Sequence, residues 1–124
     1  MRRAALIALI LVAALTASGA AAPTTPRSGL YGVVKKGPVR PVCTVDEPCD
    51  VPVKITLVFS RTGRVPVRAR SQASGRYRTA LAPGIYSVRS VERIGLAKFP
   101  FPHRVKVRRG HWDKIDFFFD TGIR

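Results

Sequence analysis

Short runs of alternating apolar and polar residues, separated by glycine, proline and other turn residues, most constrain the fold of this chain. The alternation has the two-residue period of a half-buried β-strand, and no amphipathic helical stripe appears after the N-terminal segment. The runs cover residues 30–34, 54–60, 64–70, 76–81, 85–91, 104–108 and 112–120. Seven short strands at this spacing predict an all-β fold, a seven-stranded antiparallel β-sandwich of immunoglobulin-like size.

The same alternation assigns one face of each strand to the core. The side chains predicted to face inward are Ile55, Leu57, Phe59, Val65, Val67, Tyr77, Leu81, Tyr86, Val88, Val105, Val107, Ile115, Phe117 and Phe119. Together they are about enough for the single core of one small domain.

Basic residues occupy many of the outward positions. The candidate polyanion-binding residues are Arg64, Arg68, Arg70, Arg76, Arg78, Arg104, Lys106 and Arg108. A short turn joins run 64–70 to run 76–81, so the two are predicted to pair and to place the first five of these arginines on one face. Guanidinium groups suit bidentate contacts with phosphate or carboxylate. The alternative is that solvent-facing strand positions must be polar and that this chain fills them with arginine.

The first residues follow the order of a secretory signal peptide. Residues 1–3 carry two arginines, residues 4–17 are apolar, and residues 18–22 are small. We expect residues 1–20 to be a signal peptide, 21–28 a linker and 29–124 the domain. An N-terminal membrane anchor is the alternative, although the apolar run is shorter than the roughly 20 residues that span a bilayer. Export predicts a secreted or cell-envelope protein with no transmembrane segment in its mature chain.

The mature chain would be strongly basic. The full chain has 22 Lys and Arg against 7 Asp and Glu, and loss of the two arginines in residues 1–20 leaves a net charge of +13. Such a charge attracts polyanions, which outside a cell include anionic wall polymers and membrane surfaces.

Two cysteines remain after the predicted cleavage, Cys43 and Cys49. In an oxidising compartment such a pair forms a disulfide, which here closes a short loop. A redox or metal pair is the alternative, but the spacing matches no zinc pattern. We therefore expect no metal and no cofactor.

Two segments carry a family resemblance. Residues 71–77 (SQASGRY) and 81–86 (LAPGIY) resemble the motif of carboxypeptidase regulatory-like domains at Gly75, Tyr77, Leu81, Pro83, Gly84 and Tyr86. The likeness spans about residues 53–120, and Gln72 stands where that family usually has aspartate. The opening of the domain, the cysteine loop and the DTGIR ending also resemble a group of secreted actinobacterial proteins. The resemblance implies a prealbumin-like sandwich that serves as a non-catalytic accessory, scaffold or carbohydrate- and surface-associated module.

Catalysis is not expected, because no motif unites a nucleophile, a base and an acid. An enzyme would require His103 or His111 to meet an acid in a cleft. Nucleic acid is not expected either. Readers of single strands place aromatic rings on the exposed basic face, whereas Tyr77 and Tyr86 fall with the core.

Three aromatic residues remain as candidate contacts for a partner: Phe99, Phe101 and Trp112. The leading hypothesis from the sequence is a secreted, non-catalytic module that binds an anionic cell-envelope component through an arginine-rich sheet face. The alternative is a structural or protein-interaction domain without a polyanion ligand.

Overall fold

The computed structural model describes residues 28–123. The predicted signal peptide (1–20), residues 21–27 of the predicted linker and residue 124 lie outside the described residues. Ser28, the last residue of the predicted linker, is buried, and its hydroxyl donates a hydrogen bond to the Leu81 carbonyl (2.6 Å). Over residues 28–123 there is no helix long and apolar enough to cross a membrane.

Nine β-strands, rather than the predicted seven, form two sheets in the described part of the chain. The strands are β1 (Gly29–Gly37), β2 (Val51–Pro52), β3 (Thr56–Ser60), β4 (Val67–Arg70), β5 (Arg76–Ala80), β6 (Gly84–Ser90), β7 (Arg104–Val107), β8 (Trp112–Lys114) and β9 (Phe117–Asp120).

The five-stranded sheet is organised around β1. Its first half pairs with β5 on one edge and β8 on the other, and its second half pairs with β2 and β9. The pairings with β8 and β9 are parallel, so the prediction of a purely antiparallel sandwich is wrong for this sheet. At nine residues β1 is long enough to serve two successive partners on each edge.

The last predicted strand, residues 112–120, is divided into β8 and β9 because Ile115 and Asp116 do not continue the regular strand pairing with β1. The Ile115 amide donates to the Tyr31 carbonyl (2.8 Å), and an Asp116 side-chain oxygen accepts the Val33 amide (2.8 Å). These bonds interrupt the ladder between β8 and β9. The other additional strand, β2, follows the loop that holds the Cys43–Cys49 disulfide, and the prediction of that disulfide is confirmed.

The four-stranded sheet has the order β4-β3-β6-β7 and is antiparallel throughout. The two sheets pack face to face through aromatic rings. The Phe59 ring on β3 lies 6.4 Å from the ring of Tyr77 on β5 and 6.1 Å from the ring of Phe117 on β9. The predicted β-sandwich arrangement fits these two packed sheets.

The predicted core is largely confirmed, with one error. Val67 and Ile115 are partly buried against the core, the other predicted side chains except Val65 are buried, and Leu30 and Val34 of β1 join them. Val65 is 87% exposed. Pro66 has no amide hydrogen to donate to β3, so pairing begins only at Val67 and leaves Val65 in the preceding loop.

Candidate anion-binding surfaces

The outer surface of the four-stranded sheet is basic. Its strands contribute the exposed side chains Arg68, Arg70, Arg89, Arg104 and Lys106 and contain no aspartate or glutamate. Each basic residue alternates with buried residues, which directs it away from the core. Within residues 28–123, none of these five side chains forms an ion pair. We call this surface the arginine face.

Cross-strand register places the charges of the arginine face close together. Val58 on β3 is opposite Arg68 on β4 and Arg89 on β6, so two arginines flank one valine. Neighbouring strands are about 4.8 Å apart, which puts the two arginine backbones roughly 10 Å apart. Val58 is fully buried although it lies outside the core cluster, as expected where long side chains lay their aliphatic stems over it.

A small polar depression lies beside this pair. Ser60, Ser87 and Arg104 form one cross-strand row on β3, β6 and β7, and they line a depression of ≈ 240 Å³ with Arg61 and Thr62. Arg61 is held in place by its hydrogen bond to the Pro83 carbonyl (2.6 Å) and by its position over the ring of Tyr86. Hydroxyl and guanidinium donors at one site suit an oxyanion.

The predicted five-arginine face does not form. β4 pairs with β3 and β5 pairs with β1, so Arg68 and Arg76 belong to different sheets. The turn between the strands crosses the edge of the sandwich. Ser71 fixes its start, because the Ser71 hydroxyl accepts the Ile55 amide (2.8 Å) and donates to the Val53 carbonyl (2.7 Å).

The end of this turn is fixed to the other sheet. The Val34 amide of β1 donates to the Gly75 carbonyl (2.8 Å), and Gly75 has a φ of 82°. A Cβ at this position would lie 2.5 Å from the Val34 carbonyl oxygen, so the close approach requires glycine. The turn therefore holds Arg70 and Arg76 on either side of the sandwich edge.

A second depression forms where these arginines meet, with a volume of ≈ 490 Å³. Its lining residues are Tyr31, Arg70, Gln72, Arg76, Tyr77 and Arg78. Three of the predicted polyanion-binding residues thus meet beside an exposed tyrosine ring, although on a different surface from the one expected. We call this place the Tyr31 depression.

Two other predicted residues lie off both surfaces. Arg64 is exposed in the loop before β4. Arg108, just after β7, forms a bidentate pair with Asp113, with nitrogen–oxygen distances of 3.2 and 2.7 Å. The hydrogen bond from Arg108 holds the pKa of Asp113 below its ordinary value, and the charge of His111 also lowers it.

The aromatic candidates lie at separate places. Phe99 and Phe101 are 59% and 66% exposed in the loop before β7, and Phe101 forms a backbone bridge to Phe118 on β9. Trp112 is paired with the first residue of β1, whereas Phe118 is paired with Lys35. Six residues of strand separate these positions along β1, or about 20 Å.

Both histidines are exposed, His103 just before β7 and His111 just before β8. The His103 ring packs edge-on to Phe99, with 6.5 Å between centroids, and His111 is exposed in the turn before β8. No group of three or more His, Cys, Asp and Glu side chains that could hold a metal occurs among residues 28–123.

Sequence reasoning missed several residues that the structure places on these surfaces. Arg89, Ser87 and Tyr31 all sit at outward positions of alternating runs, which was a signal available in the sequence. The alternation does not show which strands are neighbours in a sheet. The strand neighbours decide which residues share a surface.

The chain was compared with models of known families, with curated proteins and with solved structures, and none of the three comparisons found a match. The resemblance to carboxypeptidase regulatory-like domains therefore stays a prediction.

Proposed function

We propose that the protein binds an anionic cell-envelope polymer through the arginine face. One observation carries the proposal. Four adjacent strands present five exposed basic side chains and no acid, with two of the arginines flanking Val58. A polymer with regularly spaced charges can contact several of these groups together, and its counterions are released when it does.

Arginine suits this task better than lysine would. Each guanidinium offers two parallel donors to one phosphate or carboxylate, and it is more weakly hydrated than an ammonium group. The row formed by Ser60, Ser87 and Arg104 adds hydroxyl donors beside the charges. The rigid antiparallel ladder beneath them keeps the spacing of these donors constant.

The proposal includes export and a prealbumin-like type of sandwich. The disulfide supports export, since such bridges persist in oxidising compartments. Three of the motif residues support the fold type, because each of them has a structural role. Gly75 makes the close turn, Tyr77 faces the core, and the Tyr86 hydroxyl donates to the Ala82 carbonyl (2.6 Å). No catalytic step is proposed.

Retention on immobilised polyphosphate and polygalacturonate across a salt gradient tests the proposal. We expect retention to fall steeply with salt. The double variant Arg68→Glu/Arg89→Glu should reduce the slope of log affinity against log salt by about two, roughly one for each arginine that no longer binds the polymer.

The matched control is Lys35→Glu/Arg93→Glu, which changes the net charge equally but lies off the arginine face. It should keep the slope of the unmodified protein. Retention that does not respond to salt, or an equal loss in the control, would overturn the proposal.

A second candidate function rests on the exposed rings of Phe99 and Phe101. Two largely exposed phenylalanines in one loop are an apolar contact suited to a protein partner. A partner captured by the protein, retained at high salt and lost in Phe99→Ser/Phe101→Ser, would favour this function over the first.

A further inference from the structure

We infer that the Tyr31 depression is a binding site for an acidic sugar residue, with the carboxylate held by arginines and the sugar ring lying on the ring of Tyr31. The inference goes beyond the proposed function, because it assigns a second site and the chemical class of its ligand. The site lies at the edge of the sandwich, mainly on the five-stranded sheet, and Arg70 is the one residue that it shares with the arginine face.

The first argument is the pairing of a ring with guanidinium groups. Tyr31 is 42% exposed, and cross-strand register places it opposite Arg78. Arg70, Arg76 and Arg78 line the same depression. No ion pair occupies these three side chains within residues 28–123. A ligand that fits must carry an anionic group and a flat, weakly polar face.

The second argument is that Arg78 is already held in place. Its guanidinium carbon lies 4.2 Å from the ring centroid of Trp112 on β8. The indole packs against Gly29, where a Cβ would lie 2.5 Å from the ring. A guanidinium fixed over an aromatic face loses less freedom when it binds a carboxylate. Trp112 is thus a positioning residue for Arg78.

The third argument separates a sugar from a nucleic acid. Proteins that bind single strands stack successive bases on several rings. Here Trp112 is covered by Arg78 and by β1, so among the aromatic residues lining or flanking the depression only Tyr31 offers an exposed ring. One ring accommodates one sugar residue, whose C–H groups meet the electron-rich face.

The fourth argument concerns the polar side chain of Gln72 and the volume of the Tyr31 depression. Gln72 lines the depression, and its side-chain amide can both donate to and accept from sugar hydroxyls. The Gln72 amide nitrogen of the backbone donates to the Arg76 carbonyl (2.9 Å), which closes the turn and fixes both residues. A volume of ≈ 490 Å³ is within the usual range for small-ligand sites, about 300–1,000 Å³.

The test is titration of the full protein with trigalacturonate, followed by calorimetry and by the fluorescence of Trp112, the single tryptophan of the chain. We expect saturable binding with a change in Trp112 emission. Tyr31→Val and Arg78→Gln should each weaken binding by about tenfold or more. Arg93→Gln, a matched loss of charge at an exposed position outside both surfaces, should leave the affinity within about twofold.

Several results would overturn the inference. One is equal binding of neutral trigalactose, which would show that the arginines do not select the ligand. Another is tighter binding of an oligothymidylate than of trigalacturonate, which would make the depression a nucleic-acid site. A third is unchanged trigalacturonate affinity in both site variants, provided that their circular dichroism and unfolding midpoints match those of the unmodified protein.

The outcomes separate this site from the arginine face. If Tyr31→Val abolishes trigalacturonate binding while Arg68→Glu/Arg89→Glu leaves polymer retention intact, the depression stands and the proposed function of the arginine face fails. If Tyr31→Val leaves trigalacturonate binding intact while Arg68→Glu/Arg89→Glu reduces polymer retention, the arginine face stands and the acidic-sugar site fails.

Discussion

The guanidinium of Arg78 lies over the indole ring of Trp112, although their strands do not pair with each other. β5 and β8 flank β1 on opposite edges, and the contact passes over Gly29, which has no side chain to block it. One missing side chain on the central strand therefore allows a cation and a ring from two separate strands to meet.

Removal of this cation should be visible in the single tryptophan. Arg78→Ala is expected to increase quenching of Trp112 by acrylamide and to lower the free energy of unfolding by about 0.5–1 kcal/mol, the usual size of an exposed cation–π contact. Arg76→Ala, on the same strand and face, serves as the control. Identical quenching in both variants would argue against the contact.

A side chain at position 29 should disrupt the same arrangement. The Cβ of Gly29→Ala would lie 2.3 Å from the Thr79 carbonyl oxygen and 2.5 Å from the Trp112 ring, so the sheet must shift. We expect a loss of about 1–3 kcal/mol in urea unfolding, typical of overpacking.

The matched control for this change is Gly63→Asn. Nothing lies within 4 Å of a Cβ there, and asparagine tolerates the positive φ of 77° better than most residues. A loss in Gly29→Ala no larger than in Gly63→Asn would contradict the crowding seen at Gly29.

Tyr77 should make the protein sensitive to alkaline pH. Burial raises the pKa of Tyr77 above its ordinary value of about 10, and the nearby charge of Asp116 raises it further. Because the folded-state pKa of Tyr77 is raised, the stability that its protonated hydroxyl contributes is fully present below about pH 10. It declines as pH rises from there toward the folded-state pKa.

Tyr77→Phe separates the two roles of the hydroxyl. The variant loses the hydrogen bond to the Ile115 carbonyl, which should lower the free energy of unfolding at pH 7 by about 1 kcal/mol. It should also show a shallower decline between about pH 10 and 11.5 than the unmodified protein. Equal slopes over that range would disprove the link to Tyr77.

Asp113 should titrate below its ordinary range because of Arg108. The hydrogen bond from Arg108 lowers the pKa of the Asp113 carboxyl, so the pair stabilises the fold above the ordinary Asp pKa, and this contribution is lost as pH falls through the folded-state value. In Arg108→Gln the carboxyl-carbon NMR titration of Asp113 should move upward. Arg109→Gln should not move it, and a shift of equal size there would assign the effect to general charge.

The turn between β4 and β5 is where the sequence pattern led to a wrong prediction of strand pairing. Alternation correctly placed Tyr77 inside and Arg76 and Arg78 outside, because a strand with one buried face has a period of two. A short turn between two strands also suggested a hairpin. The chain instead crosses between sheets, held at each end by Ser71 and Gly75, and local sequence does not reveal those distant partners.

Sequence alone determined which side of each strand is apolar, the site of the disulfide and the concentration of positive charge. These are local properties of neighbouring residues, and burial of apolar surface fixes the first of them wherever the strand is placed. Tertiary structure decided which charges share a surface. Arg68 joins Arg89 through β3, whereas Arg78 joins Tyr31 and Trp112 through β1, because strand order arises from long-range pairing that each strand's own pattern leaves open.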